Sequence, residues 1–196
     1  MENKHVERSR VTRERLLAAA RELFAAHGYA GVGTEEIVRA AGVTRGALYH
    51  QFRDKQALFE AVVEAVEAET TAAIAQSAVG APDALAALWA GGRAFLAICA
   101  DPSVERILML DAPAVLGSER WREIRNAHGL GLVTGVLQAG MEAGVIARGP
   151  VTALAHLLLG ALTEGGLLIG RSEDRQAARR AVGDSLSRVL EGLRTR

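Results

Sequence analysis

Cysteine is nearly absent: the lone Cys99 permits no internal disulfide and no cysteine-based metal site. Aromatic residues make up only 4% of the chain, while Ala, Leu and Gly are abundant. That balance excludes a sheet-built fold, which draws on β-branched and aromatic side chains, and favours helices. No strand-like alternation, internal repeat or glycine-rich phosphate loop occurs. The five histidines show no helical metal-ligand pair. Net charge is zero over 196 residues, so bulk attraction to a polyanion is not a property of the whole chain. The first ten residues, MENKHVERSR, are charged and lack the apolar centre of a signal peptide. The most membrane-like stretch, Val151 to Gly170, contains His156 and Glu164, which are costly in lipid. It is therefore expected to be a buried helix of a cytoplasmic protein that makes no membrane contact.

The balanced charge is unevenly spread. Residues 1–55 hold ten Lys or Arg against seven Asp or Glu, and residues 56–196 hold thirteen against sixteen. The basic end contains the most informative stretch, Thr34 to Phe52 (TEEIVRAAGVTRGALYHQF). Thr34 can cap a first short helix, with Glu35 and Glu36 at its positive end. Gly42 can end it in the left-handed conformation. Thr44 can cap a second helix from Arg45 to about Phe52. Two helices joined by such a glycine-bearing turn form a helix-turn-helix, whose second helix enters the major groove of DNA.

The rest of the chain reads as helix. Residues 1–9 are expected to be a mobile polar tail in which Lys4, Arg8 and Arg10 can reach phosphates. Helix 1 is expected from about Thr12 to His27, ended by Gly28, with Leu16, Ala20, Leu23 and Phe24 on its apolar stripe. Asp54 caps a long helix 4 that runs to about Ser77. Pro82 starts helix 5, and Asp101 caps a short helix 6 with Pro102 at its first position. Pro113 and Gly117 mark a connection, and Ser118 caps helix 7. Pro150 starts helix 8, and Ser172 caps helix 9, which ends near Leu193. The expected architecture is all-α. A three-helix head (1–55, helix-turn-helix about 33–52) precedes a six-helix body (56–196) for regulation, ligand binding and dimerisation.

Within the helix-turn-helix, Arg45 can give two hydrogen bonds to guanine O6 and N7, or one to a phosphate. Gly46 costs roughly 1 kcal/mol against Ala inside a helix. Close approach to DNA or tight packing against helix 1 would each explain it. Tyr49 and His50 can touch phosphates and thymine methyls, while Leu48 and Phe52 face the core. Thr44 can both cap and contact DNA, and Lys55, a cation in the first turn of helix 4, is accounted for by a phosphate contact.

Residues 12–59 resemble the DNA-binding head of TetR/AcrR-type transcriptional regulators. The resemblance rests on TRERLLAAARELFAAHGY and EEIVRAAGVTRGALYHQFRDKQALF, with Phe24, Gly28-Tyr29, Ala41-Gly42-Val43, Gly46, Leu48-Tyr49, Phe52 and Lys55 as they stand here. It implies an all-helical homodimer whose last two helices pair with a second subunit, a ligand pocket in the body, and repression from a palindromic operator in double-stranded DNA. Two positions depart from the family's habit. Gly33 stands where relatives usually carry Ser or Thr, and Gln51 where they often carry His or Tyr, so the resemblance implies DNA contacts from Thr34 and Gln51 at these two places.

In the body, the expected dimer contacts are Leu157, Gly160, Ala161, Glu164, Leu168, Leu186, Val189 and Leu190, because paired helices 8 and 9 would bury them in a four-helix bundle. The expected pocket residues are Trp89, Phe95, Cys99, Met109, Asp111, Trp121 and His128, because pockets combine apolar walls with few polar groups. No motif activates Cys99, His128, Asp111 or Glu164 for catalysis, so no enzyme activity, metal or cofactor is expected. Two alternatives stand beside the ligand-released repressor: a DNA-binding regulator with no small-molecule effector, and a helical ligand-binding protein with a vestigial head.

Overall fold

The computed structural model describes residues 2–195, with side chains from residue 6 onward. Among these residues the chain forms nine helices, and an isolated β-bridge pairs Ile146 with Arg194. The helices are α1 (Glu2–Gly31), α2 (Thr34–Ala41), α3 (Arg45–Gln51), α4 (Lys55–Ser77), α5 (Ala84–Ile98), α6 (Pro102–Leu116), α7 (Ser118–Glu142), α8 (Val151–Arg171) and α9 (Arg175–Glu191).

Two compact units divide the chain. The first comprises Met1–Val66 and Pro102–Trp121, and the second Glu67–Asp101 and Arg122–Arg196. The expected boundary at residue 55 is thus displaced, and the reason lies in the first unit's core. Phe59, from the first turns of α4, packs edge-on against Phe24 of α1 with ring centroids 5.2 Å apart, and lies 5.0 Å from Tyr29. Leu16, Ile37, Leu48 and Leu58 are fully buried around this aromatic trio. The start of α4 is therefore core to the head rather than a spacer after it.

The segment α6 joins the same unit through the break in α1. Gly28 has φ 73, in the left-handed region open to glycine. A Cβ there would come within 3.2 Å of Arg106 Nη1 and 3.4 Å of Asp111 Oδ2. The Tyr29 N–H, released by the break, donates to Asp111 Oδ2 at 2.7 Å. Asp111 therefore caps α1 and does not line a pocket in the second unit.

Proline 113 was expected in a connection but sits inside α6, whose central stretch, Glu105–Asp111, is π-helical. The Ala112 N–H bonds Ile107 O, five residues back. Proline in an α-helix clashes with the carbonyl four residues before it. A wider π turn immediately upstream relieves that conflict.

Several caps differ from expectation by one to two residues. Gly33, not Thr34, is the α2 N-cap: its carbonyl accepts from Glu36 and Ile37 N–H, and Thr34 is the first helical residue. The Asp83 carboxylate, not Pro82, starts α5 by accepting the Ala86 N–H at 2.8 Å. Asp174, not Ser172, does the same for α9 through the Ala177 N–H. In both helices the stronger acceptor, an anion at the positive helix end, holds the cap. The expected tail is helical from Glu2, and Arg10 bridges Glu7 and Glu14 along it. Arg8 is exposed on that helix, while the Lys4 side chain lies outside the described residues.

The second unit is organised around Leu85, Leu137, Ile146, Ala155, Leu158, Leu186 and Leu190. Leu186 and Leu190, expected at a dimer interface, are thus core residues of a single chain. Small residues make this packing possible: a Cβ on Gly92 would lie 2.5 Å from Leu186 Cδ2, and one on Gly165 2.8 Å from Val182 Cγ1. Helix α8 is long and apolar enough to cross a membrane by composition. One face, with Ala155, Leu158, Gly165, Gly166 and Ile169, is buried within the chain. Its outward face carries His156, Leu157, Gly160, Ala161, Glu164 and Leu168.

Candidate nucleic-acid interface and ligand cavity

The turn before α3 is fixed locally. Gly42 takes φ 64 and ends α2, and Thr44 Oγ1 accepts the Ala47 N–H at 3.2 Å to begin α3. Leu48 and Phe52 face inward, and the Arg13 guanidinium stacks 4.4 Å from the Phe52 ring centroid. With that face buried, the opposite one is set: Thr44, Arg45, Gly46, Tyr49 and His50 are all exposed. The Thr44 cap uses an acceptor lone pair, so its hydroxyl proton is still available to a phosphate.

Arg45 Nη1 donates to Glu35 Oε1 at 2.9 Å, and its guanidinium carbon lies 5.6 Å from the Tyr49 ring centroid. Both partners of the ion pair are about two-thirds exposed, and such pairs are worth only about 0–1 kcal/mol. Glu35 therefore pre-aims Arg45 without committing it. Gly46 resolves one of its two sequence readings. The nearest non-local atom to a Cβ there would be Thr44 Oγ1 at 3.9 Å, so packing against α1 does not require the glycine.

Two expected DNA contacts are engaged elsewhere. Lys55 Nζ donates to Tyr29 O and Val32 O, both at 2.8 Å, and lies 4.0 Å from the Tyr29 ring centroid. It ties the start of α4 to the carbonyls that follow α1. Burial holds its pKa below that of a free lysine. The same desolvation raises the Tyr29 phenol, with the Asp54 charge adding to it. Gln51 Nε2 donates to Ser9 Oγ at 2.7 Å and so ties α3 to α1.

The second unit holds a partly open apolar cavity of about 80 Å³ among α4, α5, α7, α8 and α9. Thr71, Ile74, Leu88, Gly91, Leu132, Leu159 and Leu162 are among its walls. Of the seven residues expected to form a pocket, Phe95 lines this one. Trp89 lies on a separate polar groove with Arg93, Arg179 and Arg180. Cys99 is buried away from the cavity wall, and Met109, Asp111 and Trp121 belong to the first unit.

Beside the cavity lies a polar cluster that the sequence reading missed, apart from His128. Arg125 Nε is 3.4 Å from Glu67 Oε1, and these side chains are 12% and 8% exposed. Arg125 Nη1 donates to Thr163 Oγ1 at 2.5 Å, and Thr163 Oγ1 donates to Leu159 O. Burial raises the Glu67 pKa, opposed by the charges of Arg125 and His128. One sequence signal was present: Glu67 lies four residues after Val63 and three before Thr70, both buried, on the inward stripe of α4.

Comparison with known proteins places this geometry. The family profile described as "Tetracyclin repressor-like, C-terminal domain" matches residues 85–193, more than half the chain. The profile "Bacterial regulatory proteins, tetR family" matches residues 16–62. A crystal structure of a TetR-family transcriptional regulator from Pectobacterium atrosepticum is 32% identical, covers 97% of both chains and superposes with a TM-score of 0.85. The chain belongs to the TetR family.

Among curated TetR-family relatives, the HTH-type transcriptional repressor NemR of Escherichia coli K12 is 42% identical over 62 residues, 32% of this chain and 30% of that protein. The HTH-type transcriptional regulator AcrR of Shigella flexneri is 40% identical over 67 residues, 34% of this chain and 31% of that one. These matches span about a third of the curated relatives' length. The tetR-family profile locates the head at residues 16–62, and the all-helical fold with an N-terminal helix-turn-helix is shared with the Pectobacterium regulator.

Proposed function

We propose that this TetR-family regulator is a cytoplasmic, dimeric repressor that reads a palindromic operator with α3 and is released by a small molecule bound in the second unit. The observation that carries this reading is the exposed face of α3. Thr44, Arg45, Gly46, Tyr49 and His50 point outward together, and nothing within the chain explains the glycine in their midst. A backbone bare at that position lets the helix lie closer to DNA, with Arg45 towards base edges and Thr44, Tyr49 and His50 towards phosphates and thymine methyls. The previously expected phosphate contacts of Lys55 and Gln51 are replaced in this reading by positioning roles within the head.

Dimerisation is supported by the outward face of α8 and α9. Leu157, Leu168 and Val189 are 71%, 56% and 53% exposed in the single chain, with Gly160 and Ala161 between the leucines. Small residues beside large apolar ones suit close helix pairing with a second copy, and a two-fold dimer matches a two-fold operator.

The cavity favours an effector over a regulator without one. A single uninterrupted helix, α4, carries Lys55 in the head and Thr71 and Ile74 on the cavity wall. Displacing the wall therefore acts on the helix that holds the Tyr29 and Val32 carbonyls. By linkage, an effector that weakens DNA binding is itself bound more weakly by the DNA-bound protein.

Selection of genomic fragments by the purified protein is expected to enrich one palindromic sequence with half-sites one helical turn, or a multiple, apart. Enrichment of no sequence at low salt would overturn the proposal and leave the vestigial-head alternative.

A further inference from the structure

The buried polar cluster adjoins the apolar cavity without lining it, and together they restrict what the cavity can hold. Among the side chains lining the cavity, only Thr71 carries a polar atom. An ion lowered into such walls loses its hydration without compensation, so the cavity selects against charge. The polar groups lie one helical turn away on three walls at once. On α4, Glu67 precedes Thr71 by four residues. On α7, Arg125 precedes Gly129 by four, and on α8, Thr163 follows Leu159 by four. Side chains four apart share a helix face. The fourth wall joins them through Phe95, whose ring centroid is 5.5 Å from the Arg125 guanidinium carbon.

The paired charges of the cluster are Glu67 and Arg125, and His128 is the further group that acts electrostatically on Glu67. Glu67 and Arg125 offset each other, and the Thr163 hydroxyl is already donor to Leu159 O and acceptor from Arg125. A carboxylate ligand would set a second anion beside Glu67, and an ammonium would compete with Arg125. What Glu67 still offers is acceptor capacity, because a carboxylate takes several donors.

Resting on the ligand-responsive reading above, we infer that the effector is a small uncharged amphiphile: a one-ring or short-chain apolar body in the cavity, with a single hydroxyl-type donor directed at Glu67 in the Glu67–Arg125–Thr163 cluster. Size adds a regulatory consequence. A cavity of roughly 150 Å³ holds benzene, and this one has about half that volume. A one-ring ligand therefore exceeds the space now available and bears on the lining helices, α4 among them.

The test uses the full-length protein and four one-ring probes, phenol, toluene, benzoate and benzylammonium, each titrated by calorimetry; phenol and toluene are matched in size. Phenol is expected to bind about tenfold tighter than toluene, since one buried hydrogen bond to a charged acceptor separates them. Benzoate and benzylammonium are expected to bind more weakly than toluene. In the Glu67→Leu/Arg125→Met double variant the buried pair is replaced by apolar groups of similar size, a change that folded proteins tolerate. There phenol is expected to lose its advantage while toluene keeps its affinity. Equal binding of phenol and toluene by the unaltered protein would overturn the polar-end assignment and leave the pocket reading intact. Tightest binding by benzoate or benzylammonium would overturn the neutral-ligand assignment. Binding of none of the four would overturn both this inference and the effector reading on which it rests.

Discussion

Among the described residues, the outer faces of α3 and α8 are both exposed, and they differ in kind. The outer face of α3 is polar and includes Thr44, Arg45, Tyr49 and His50, arranged around a glycine with open space before it. The outer face of α8 is a stripe of Leu157, Gly160, Ala161 and Leu168, interrupted by His156 and Glu164. The first offers hydrogen-bond donors and a cation, suited to a polyanion whose binding falls as counterions accumulate. The second offers apolar area and close backbone approach, suited to another helix and little affected by salt. One molecule thus presents two unsatisfied surfaces that should answer to different solution conditions.

The sharpest way to break that comparison is at α8. The Leu157→Glu/Leu168→Glu double variant places unpaired carboxylates on the apolar stripe, where burial of a charge costs several kcal/mol. Ultracentrifugation is expected to show a monomer, and operator affinity is expected to fall by more than about 100-fold, as a two-half-site contact becomes one. The melting temperature of the head should hold, because both residues are exposed in the single chain. A dimer that survives these changes would move the interface elsewhere.

At α3, Arg45→Ala is expected to cost about 1–3 kcal/mol of operator binding and to relax base preference at one position per half-site. Unchanged gel-shift affinity would remove Arg45 from the reading surface. Lys55→Met serves as the contrast. It strips two carbonyls of their donor, so a loss of about 1–3 kcal/mol in unfolding free energy is expected by urea titration. The salt dependence of DNA binding is expected to stay the same. A shallower salt slope would return Lys55 to the phosphate contacts. The smallest effect belongs to Gly46→Ala. Free of clashes, it should stabilise the chain by about 0.5–1 kcal/mol in thermal unfolding while weakening operator binding. Tighter DNA binding by that variant would dismiss the close-approach explanation.

The head was more legible in the sequence than the body, for a physical reason. Its defining signals act over three or four residues: Gly42 must turn left-handed, Thr44 must find the Ala47 amide, and Leu48 and Phe52 share a face. Local rules of this sort leave a periodic trace. The pairs that were missed are separated by tens of residues: Asp111 with Tyr29, Gln51 with Ser9, Lys55 with Val32 and Arg125 with Glu67. No spacing announces such partners. For that reason Asp111 was assigned to a pocket and Lys55 to a phosphate, while Glu67, Arg125 and Thr163 went unnoticed. The split between Leu157 and Leu186 has a similar origin. Both lie on amphipathic helices, and only tertiary packing decides which apolar side is covered by the same chain.

The π-helical stretch of α6 carries a consequence for how this chain can change length. A π turn is the imprint of one residue inserted into an α-helix. Deleting a residue between 105 and 111 would restore α-helical winding there with the flanking helix close to its present phase, and Pro113 would meet the carbonyl that the wider turn now avoids. A segment tolerant of many substitutions on its exposed side should therefore be intolerant of losing a single residue.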